Sequence, residues 1–145
     1  MSVAALSIRP IEAGEVGAAF ALMRQLRPRL ASAGDLEARW RRQAEGGYRA
    51  VAAWAEARPL ALAGFRVLEN FVHGRYLYVD DLGVDEAERG CGLGAALMDW
   101  LKAEGRALGC NTLVLDTALA TAPAQCFCRR QGLRNLATRF TFTLT

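Results

Sequence analysis

A glycine-rich turn set between a strand and a helix constrains this chain more than any other feature. Arg89-Gly90-Cys91-Gly92-Leu93-Gly94 follows the strand-like segment Tyr76-Leu77-Tyr78-Val79-Asp80-Asp81-Leu82-Gly83-Val84. Beyond it, Leu93, Leu97, Leu101 and Leu108 recur at spacings that place them on one face of a helix. Strand, turn and helix N-terminus together make an anion site. Glycines let the backbone approach closely, unpaired N–H groups point outward, and the helix dipole favours negative charge. The ligand expected there carries phosphates.

Two phosphate loops can be weighed against this turn. The nucleoside-triphosphate loop needs Gly-Lys-Ser/Thr after its glycines, whereas Gly94 is followed by Ala95-Ala96. A dinucleotide fingerprint is formally present in Gly90-x-Gly92-x-x-Ala95, with Asp116 as the ribose-binding acid. That motif should follow its strand directly, and here the polar stretch Asp85-Glu86-Ala87-Glu88 intervenes. The chain also ends too soon to complete a doubly wound sheet.

A third family fits better. Val84 to Met98, with Arg89, Gly92 and Gly94 matching Arg/Gln-x-x-Gly-x-Gly/Ala, closely resembles motif A of the GNAT-type N-acetyltransferases. Ala122 to Leu133, with Phe127-Cys128 and Gly132, resembles the late helix of that family. The resemblance implies an α/β (α+β) fold, with a mixed, mostly antiparallel central sheet of about six to seven strands and about four flanking helices. It also implies that acetyl-coenzyme A is the co-substrate. Its pyrophosphate would be held by Arg89, Gly90, Gly92, Gly94 and Ala95, and its pantetheine arm would lie along the strand at Leu82 and Val84.

The 145 residues suit one domain with one core, and 52% hydrophobic against 23% charged residues describe a globular chain. A net charge of +3 is far below that of a dedicated nucleic-acid binder. No signal peptide or stretch of roughly 20 apolar residues is visible, so the expected location is cytoplasmic, with no membrane partner. Cys91, Cys110, Cys126 and Cys128 follow no zinc or redox spacing, and His73 is the only histidine, so no metal is expected.

The pattern predicts a strand at Val3–Arg9 and a helix from Glu12 to Leu30, limited to about Arg27 by Pro28. A second helix should run from about Asp35 to Ala44, capped by Asp35. Tyr48–Glu56 and Leu60–Glu69 read as a hairpin around Ala57-Arg58-Pro59, followed by a strand at Gly74–Val84. The glycine turn opens a helix from about Gly92 to Leu108 with Gly109 as its C-cap. Next come a strand at Thr112–Asp116, a helix at Thr121–Gln131 closed by Gly132, and an alternating strand at Thr138–Leu144. A terminal strand with an apolar face is a pairing surface, which makes a homodimer one expectation.

Acetyl transfer to an amine requires loss of the amine proton, stabilisation of an oxyanion and departure of a thiolate. By resemblance, the backbone near Leu82-Gly83-Val84 supplies the oxyanion donors, and Gly83 fits a bulge there. Asp80 and Asp81 are candidates for the base or for an amine-binding role. Adjacent strand residues face opposite sides, so at most one of them should point into the cleft. Glu69 and Asp116 are weaker candidates. Many family members place a tyrosine acid after the phenylalanine of the late helix, where this chain has Cys128. A thiol near its ordinary pKa of about 8.5 can still donate a proton, and Cys128 equally suits a small core position.

Two functions follow. One is an acetyltransferase acting on a small-molecule or peptide amine. The other is a coenzyme A-binding sensor or scaffold of the same fold with weakened turnover. Trp40, Tyr48, Phe71 and His73 are candidates to line the acceptor pocket, and none of them carries a motif.

Overall fold

A computed structural model describes residues 6–117 and 122–145. The chain divides into two compact units, Met1–Val114 and Leu115–Thr145. Five strands occur among the described residues: β1 (Ser7–Pro10), β2 (Arg49–Ala55), β3 (Arg58–Asn70), β4 (Gly74–Val84) and β5 (Thr112–Leu115). They lie in sequence order across one sheet, and the β1–β2, β2–β3 and β3–β4 pairs are antiparallel. The helices are α1 (Phe20–Leu26), α2 (Ala33–Glu45), α3 (Leu93–Ala107) and α4 (Ala122–Arg130).

Most elements stand where periodicity places them, and the departures have local causes. The first expected helix is split into a 3-10 segment, Ala13–Ala19, and α1. Gly14 and Gly17 lie in the 3-10 part, where glycine weakens α-helix formation. The chain leaves α1 just before Pro28, as that proline requires. Helix α2 starts earlier than expected, because its cap is Ser32 and not Asp35. Ser32 Oγ accepts from the Asp35 amide at 3.1 Å, and Asp35 accepts in return from the Ala31 amide at 3.0 Å. The β2–β3 hairpin turns through Glu56 and Ala57, with Glu56 at φ 56°. Pro59 therefore lies inside β3, next to a register shift at Ala53/Trp54, a position that tolerates its missing donor.

The faces of the sheet follow from what each strand residue touches. Phe65 meets Trp100 of α3 with ring centroids 5.9 Å apart, and a Cβ added at Gly105 of α3 would lie 3.7 Å from Leu77. Helix α3 therefore covers the face that carries Phe65, Leu77 and Val79, burying its own Leu93, Leu97, Met98 and Leu101. The opposite face packs Ala50, Ala52, Trp54 and Leu62 against Leu22 and Met23 of α1 and Leu36 and Trp40 of α2.

The bulge in β4 is not at Gly83. Gly83 pairs in register with Leu62, and a Cβ there would stand 3.4 Å from Leu26. Its small size serves the close approach of α1. The ladder slips instead between Gly64 and Phe65, which pair with Asp81 and Val79 and leave Asp80 as the extra residue.

In the second unit, α4 closes through Gly132 at φ 86°, with the Leu133 amide bonded to the Cys128 carbonyl at 3.0 Å. Thr121 lies outside the described residues, as do residues 3–5 of the first expected strand. The expected strand at Thr138–Leu144 does not form. Residues 133–145 are irregular, and Leu136, Phe140, Phe142 and Leu144 are all strongly exposed. Alternation marks a chain able to form a half-buried strand, but no ladder partner is provided for it among the described residues. The sheet therefore has five described strands where about six to seven were expected. No helix among the described residues is long and apolar enough to cross a membrane.

Candidate active site

Two features of the first unit carry chemistry, and β4 leads from one to the other. The first is the turn after the strand. Asp85 caps a short 3-10 segment, Glu86–Glu88, accepting from the Ala87 amide at 3.0 Å, and its own amide bonds the Leu60 carbonyl at 2.8 Å. The chain is thereby tied to β3 before it turns. Gly90 and Gly92 then take φ of 84° and 81°, a region L side chains rarely adopt. A Cβ added at either would meet nothing within 4 Å, so these glycines answer to backbone conformation and not to crowding by the protein.

Gly92 is the N-cap of α3, and the first amide to bond back within that helix is Ala96, to the Gly92 carbonyl at 3.1 Å. The amides of Leu93, Gly94 and Ala95 therefore belong to the first turn, which lacks intrahelical acceptors. Arg89 is exposed and forms no ion pair among the described residues. A left-handed turn, a 15-residue helix opening from it and a nearby guanidinium make a cradle for a phosphorylated group.

The second feature is a cleft of about 260 Å³ on the α1/α2 side of the sheet. Met23, Leu30, Leu36 and Trp40 give it apolar walls, and Tyr48 and Asp81 also line it. Tyr48 is 4% exposed, forms a T-shaped pair with Trp40 at 5.2 Å between centroids, and donates its hydroxyl to Asp81 Oδ2 at 2.8 Å. Burial first, then the Asp81 charge, pushes the Tyr48 phenol well above its ordinary value of 10.0, so it remains a donor. Arg27 holds the other side of Asp81, with Nε 2.9 Å from Oδ1, and reaches the Asp80 carbonyl at 2.9 Å.

The Asp80 bulge overturns the expectation that adjacent carboxylates face opposite sides. Asp80 lies two residues after Tyr78 on the α1/α2 face, where Arg66 binds its carboxylate in a fork at 2.7 and 2.9 Å. The extra residue resets the alternation, so Asp81, opposite Gly64, stands on that same face. Both oxygens of Asp80 are engaged by Arg66, whereas Asp81 lines the cleft.

Gly64 makes this arrangement possible. A Cβ there would run into Tyr48 Oη and Cζ and lie 2.7 Å from Cε2. An isolated glycine in a strand signals such a close approach, so Gly64 was open to sequence reasoning that passed it over. Arg27 and Arg66 carry no comparable sequence signal. Of the residues proposed for an acceptor pocket, Trp40 and Tyr48 line the cleft. Phe71 is fully exposed in the β3–β4 turn, and His73 packs near Tyr76 instead, with ring centroids 5.3 Å apart. Glu69 pairs with Arg75 near the same turn and is exposed. Asp116 and Cys128 belong to the second unit. There Asp116 forms an ion pair with Arg139 at 2.6 Å, and burial pushes the half-buried Cys128 thiol up.

A family model, "Acetyltransferase (GNAT) family", matches residues 17–133. The chain belongs to the GNAT acetyltransferase family. Its fold is shared with solved GNAT structures. A Trypanosoma brucei acetyltransferase is 23% identical, with 96% of this chain and 99% of that one covered at a TM-score of 0.78. An aminoglycoside N-acetyltransferase in complex with coenzyme A is 16% identical, with 95% and 93% covered at 0.84. Glucosamine-6-phosphate N-acetyltransferase from Arabidopsis thaliana is 18% identical, with 97% and 99% covered at 0.75. No curated protein sequence matches the chain significantly.

Proposed function

We propose that this GNAT domain, Met1 to Thr145, transfers an acetyl group from acetyl-coenzyme A directly to a primary amine held in the Asp81 cleft. The observation that carries the reading is that β4 joins two matched sites. At its end a left-handed glycine turn opens α3, and at its bulge a carboxylate is turned into a cleft.

Acetyl-coenzyme A supplies the thioester carbonyl that the amine attacks. The residues for holding its pyrophosphate are Arg89 and the turn of Gly90, Gly92, Gly94 and Ala95, through backbone amides and one guanidinium. The Asp85 amide points to β3, so alternation along the strand turns the Gly83 amide the same way and those of Leu82 and Val84 to the other edge. Leu82 and Val84 are thus the donors assigned to negative charge developing on the acetyl oxygen. Asp81 binds the ammonium and takes its proton, while Tyr48 and Arg27 fix the carboxylate. Each of its oxygens keeps a lone pair for the substrate.

Cys128 supports a second reading, in which the chain binds coenzyme A as a sensor or scaffold and turns over slowly. Burial pushes the Cys128 thiol up, away from the operating pH at which a general acid works best. The exposed apolar side chains of residues 133–145 support a homodimer under either reading.

Coenzyme A is expected to raise the melting temperature of the wild-type protein, since a ligand bound only by the folded state must do so. Gly92→Asp and Gly92→Asn place side chains of equal size at the same positive φ, and both residue types tolerate that conformation comparatively well. Both variants should fold, and the aspartate should lose far more of the coenzyme A shift. Equal shifts in wild type and Gly92→Asp would mean that the phosphates bind elsewhere.

A further inference from the structure

We infer that the acceptor is a small primary amine that also carries an oxyanion, a carboxylate or a phosphate, joined to the amine through an apolar spacer. This rests on the transferase reading of the Asp81 cleft and names its substrate class. The charges lining the cleft are three arginines, Arg27, Arg29 and Arg39, against the single carboxylate of Asp81. Arg27 is committed to Asp81 and Arg39 to Asp35, at 2.8 Å each. Arg29 has no ion-pair partner among the described residues and is exposed. It supplies the uncompensated charge of the cleft.

The backbone that carries Arg29 is also held in place. The segment Arg27–Leu30 is a turn closed by the Leu30 amide on the Arg27 carbonyl at 3.2 Å, with Pro28 fixing the backbone just before Arg29. Leu30, the next residue, is itself a wall of the cleft. A guanidinium so placed presents a fork suited to carboxylate or phosphate. Met23, Leu30, Leu36 and Trp40 give the cleft apolar walls that suit a hydrocarbon spacer; Gln43 and Tyr48 are its neutral polar groups, and Asp81 is the one carboxylate in the lining to pair with an ammonium. The volume is below the roughly 300–1,000 Å³ of pockets for drug-sized ligands. A polycationic acceptor such as an aminoglycoside would meet Arg29 with like charge.

The test offers acetyl-coenzyme A with ε-aminocaproate, aminoethyl phosphate, hexylamine or spermidine to the wild type, Arg29→Ala and Arg29→Lys. Free-thiol release gives kcat/KM, and calorimetric titration of each amine into the coenzyme A-saturated protein gives binding without turnover. One of the two anionic amines should exceed hexylamine and spermidine by about tenfold or more, and which of them leads distinguishes carboxylate from phosphate. Arg29→Ala should reduce that ratio by about tenfold, and Arg29→Lys, which keeps the charge but not the fork, should retain only part of it. A preference for spermidine or hexylamine, or a ratio unmoved by Arg29→Ala, overturns the inference while leaving the transferase reading standing. Arg29-dependent binding of an anionic amine without any thiol release supports the inferred ligand class and refutes the transferase reading instead. Neither turnover nor Arg29-dependent binding refutes both.

Discussion

Gly64→Ala is the sharpest probe of the site, because its effect can be worked out from one contact. The added Cβ would overlap Tyr48 Oη and Cζ and come within 2.7 Å of Cε2. The ring cannot swing aside cheaply. It is buried, packed against Trp40 in a T-shaped pair, and its hydroxyl is bonded to a carboxylate at 2.8 Å. Relief requires breaking that bond, worth about 1.5–3 kcal/mol with a charged partner, or straining the core by about 1–3 kcal/mol. We expect a net loss of about 1–3 kcal/mol, and at about 2–4 °C per kcal/mol a melting temperature lower by roughly 2–12 °C. Urea unfolding of wild type, Gly64→Ala, Tyr48→Ala and the double variant closes a cycle that isolates the contact. In the Tyr48→Ala background the glycine substitution should cost under about 1 kcal/mol, since the clashing atoms are gone. A cost that is equal in both backgrounds, or absent in both, would show that the Tyr48 ring does not pass under β3 at Gly64.

Two further outcomes follow from the same residues and from α4. Tyr48 has a folded-state pKa raised above its unfolded value, so its contribution is fully present below about pH 10 and is lost as pH rises further. Wild-type stability should therefore fall more steeply than that of Tyr48→Phe above about pH 10, by up to about 1.4 kcal/mol per pH unit, and parallel curves from urea titrations would contradict the burial argument. If Cys128 holds the family's acid position, Cys128→Tyr should raise the acetyl-transfer rate with a good acceptor and Cys128→Ala should change it little. A tyrosine variant that folds, binds coenzyme A and turns over no faster shows that the thiolate is protonated by another group.

The parts of the fold legible in the sequence are those whose causes are local. Leu93, Leu97 and Leu101 at helical spacing, Gly109 at a C-cap and Pro28 after α1 each state their conformation in a few neighbouring residues. The left-handed turn at Gly90 and Gly92 is of the same kind. The cleft is not. Arg27 meets Asp81 across 54 positions and Tyr48 meets it across 33, and no spacing rule connects residues so far apart. The tail shows the converse error. Phe140, Phe142 and Leu144 alternate correctly for a strand, but alternation describes what a segment could bury and not whether another strand lies beside it.

The extra residue at Asp80 is where register becomes chemistry. Without it, strict alternation would place Asp81 on the face of Leu77 and Val79, under α3 among apolar side chains, where a carboxylate is costly to bury. Leu82 would then turn toward α1 and Gly83 away from it. The bulge exchanges these assignments for every later residue of β4. Asp81 reaches Tyr48 and Arg27, Leu82 and Val84 turn back to the α3 face, and Gly83 comes under Leu26, where its missing side chain is needed. Arg66, gripping Asp80 with both arms of its guanidinium, engages the residue that has no partner in the ladder. In the proposed reaction Asp80 would serve by position and Asp81 by contact. That division follows from which carboxylate lines the cleft.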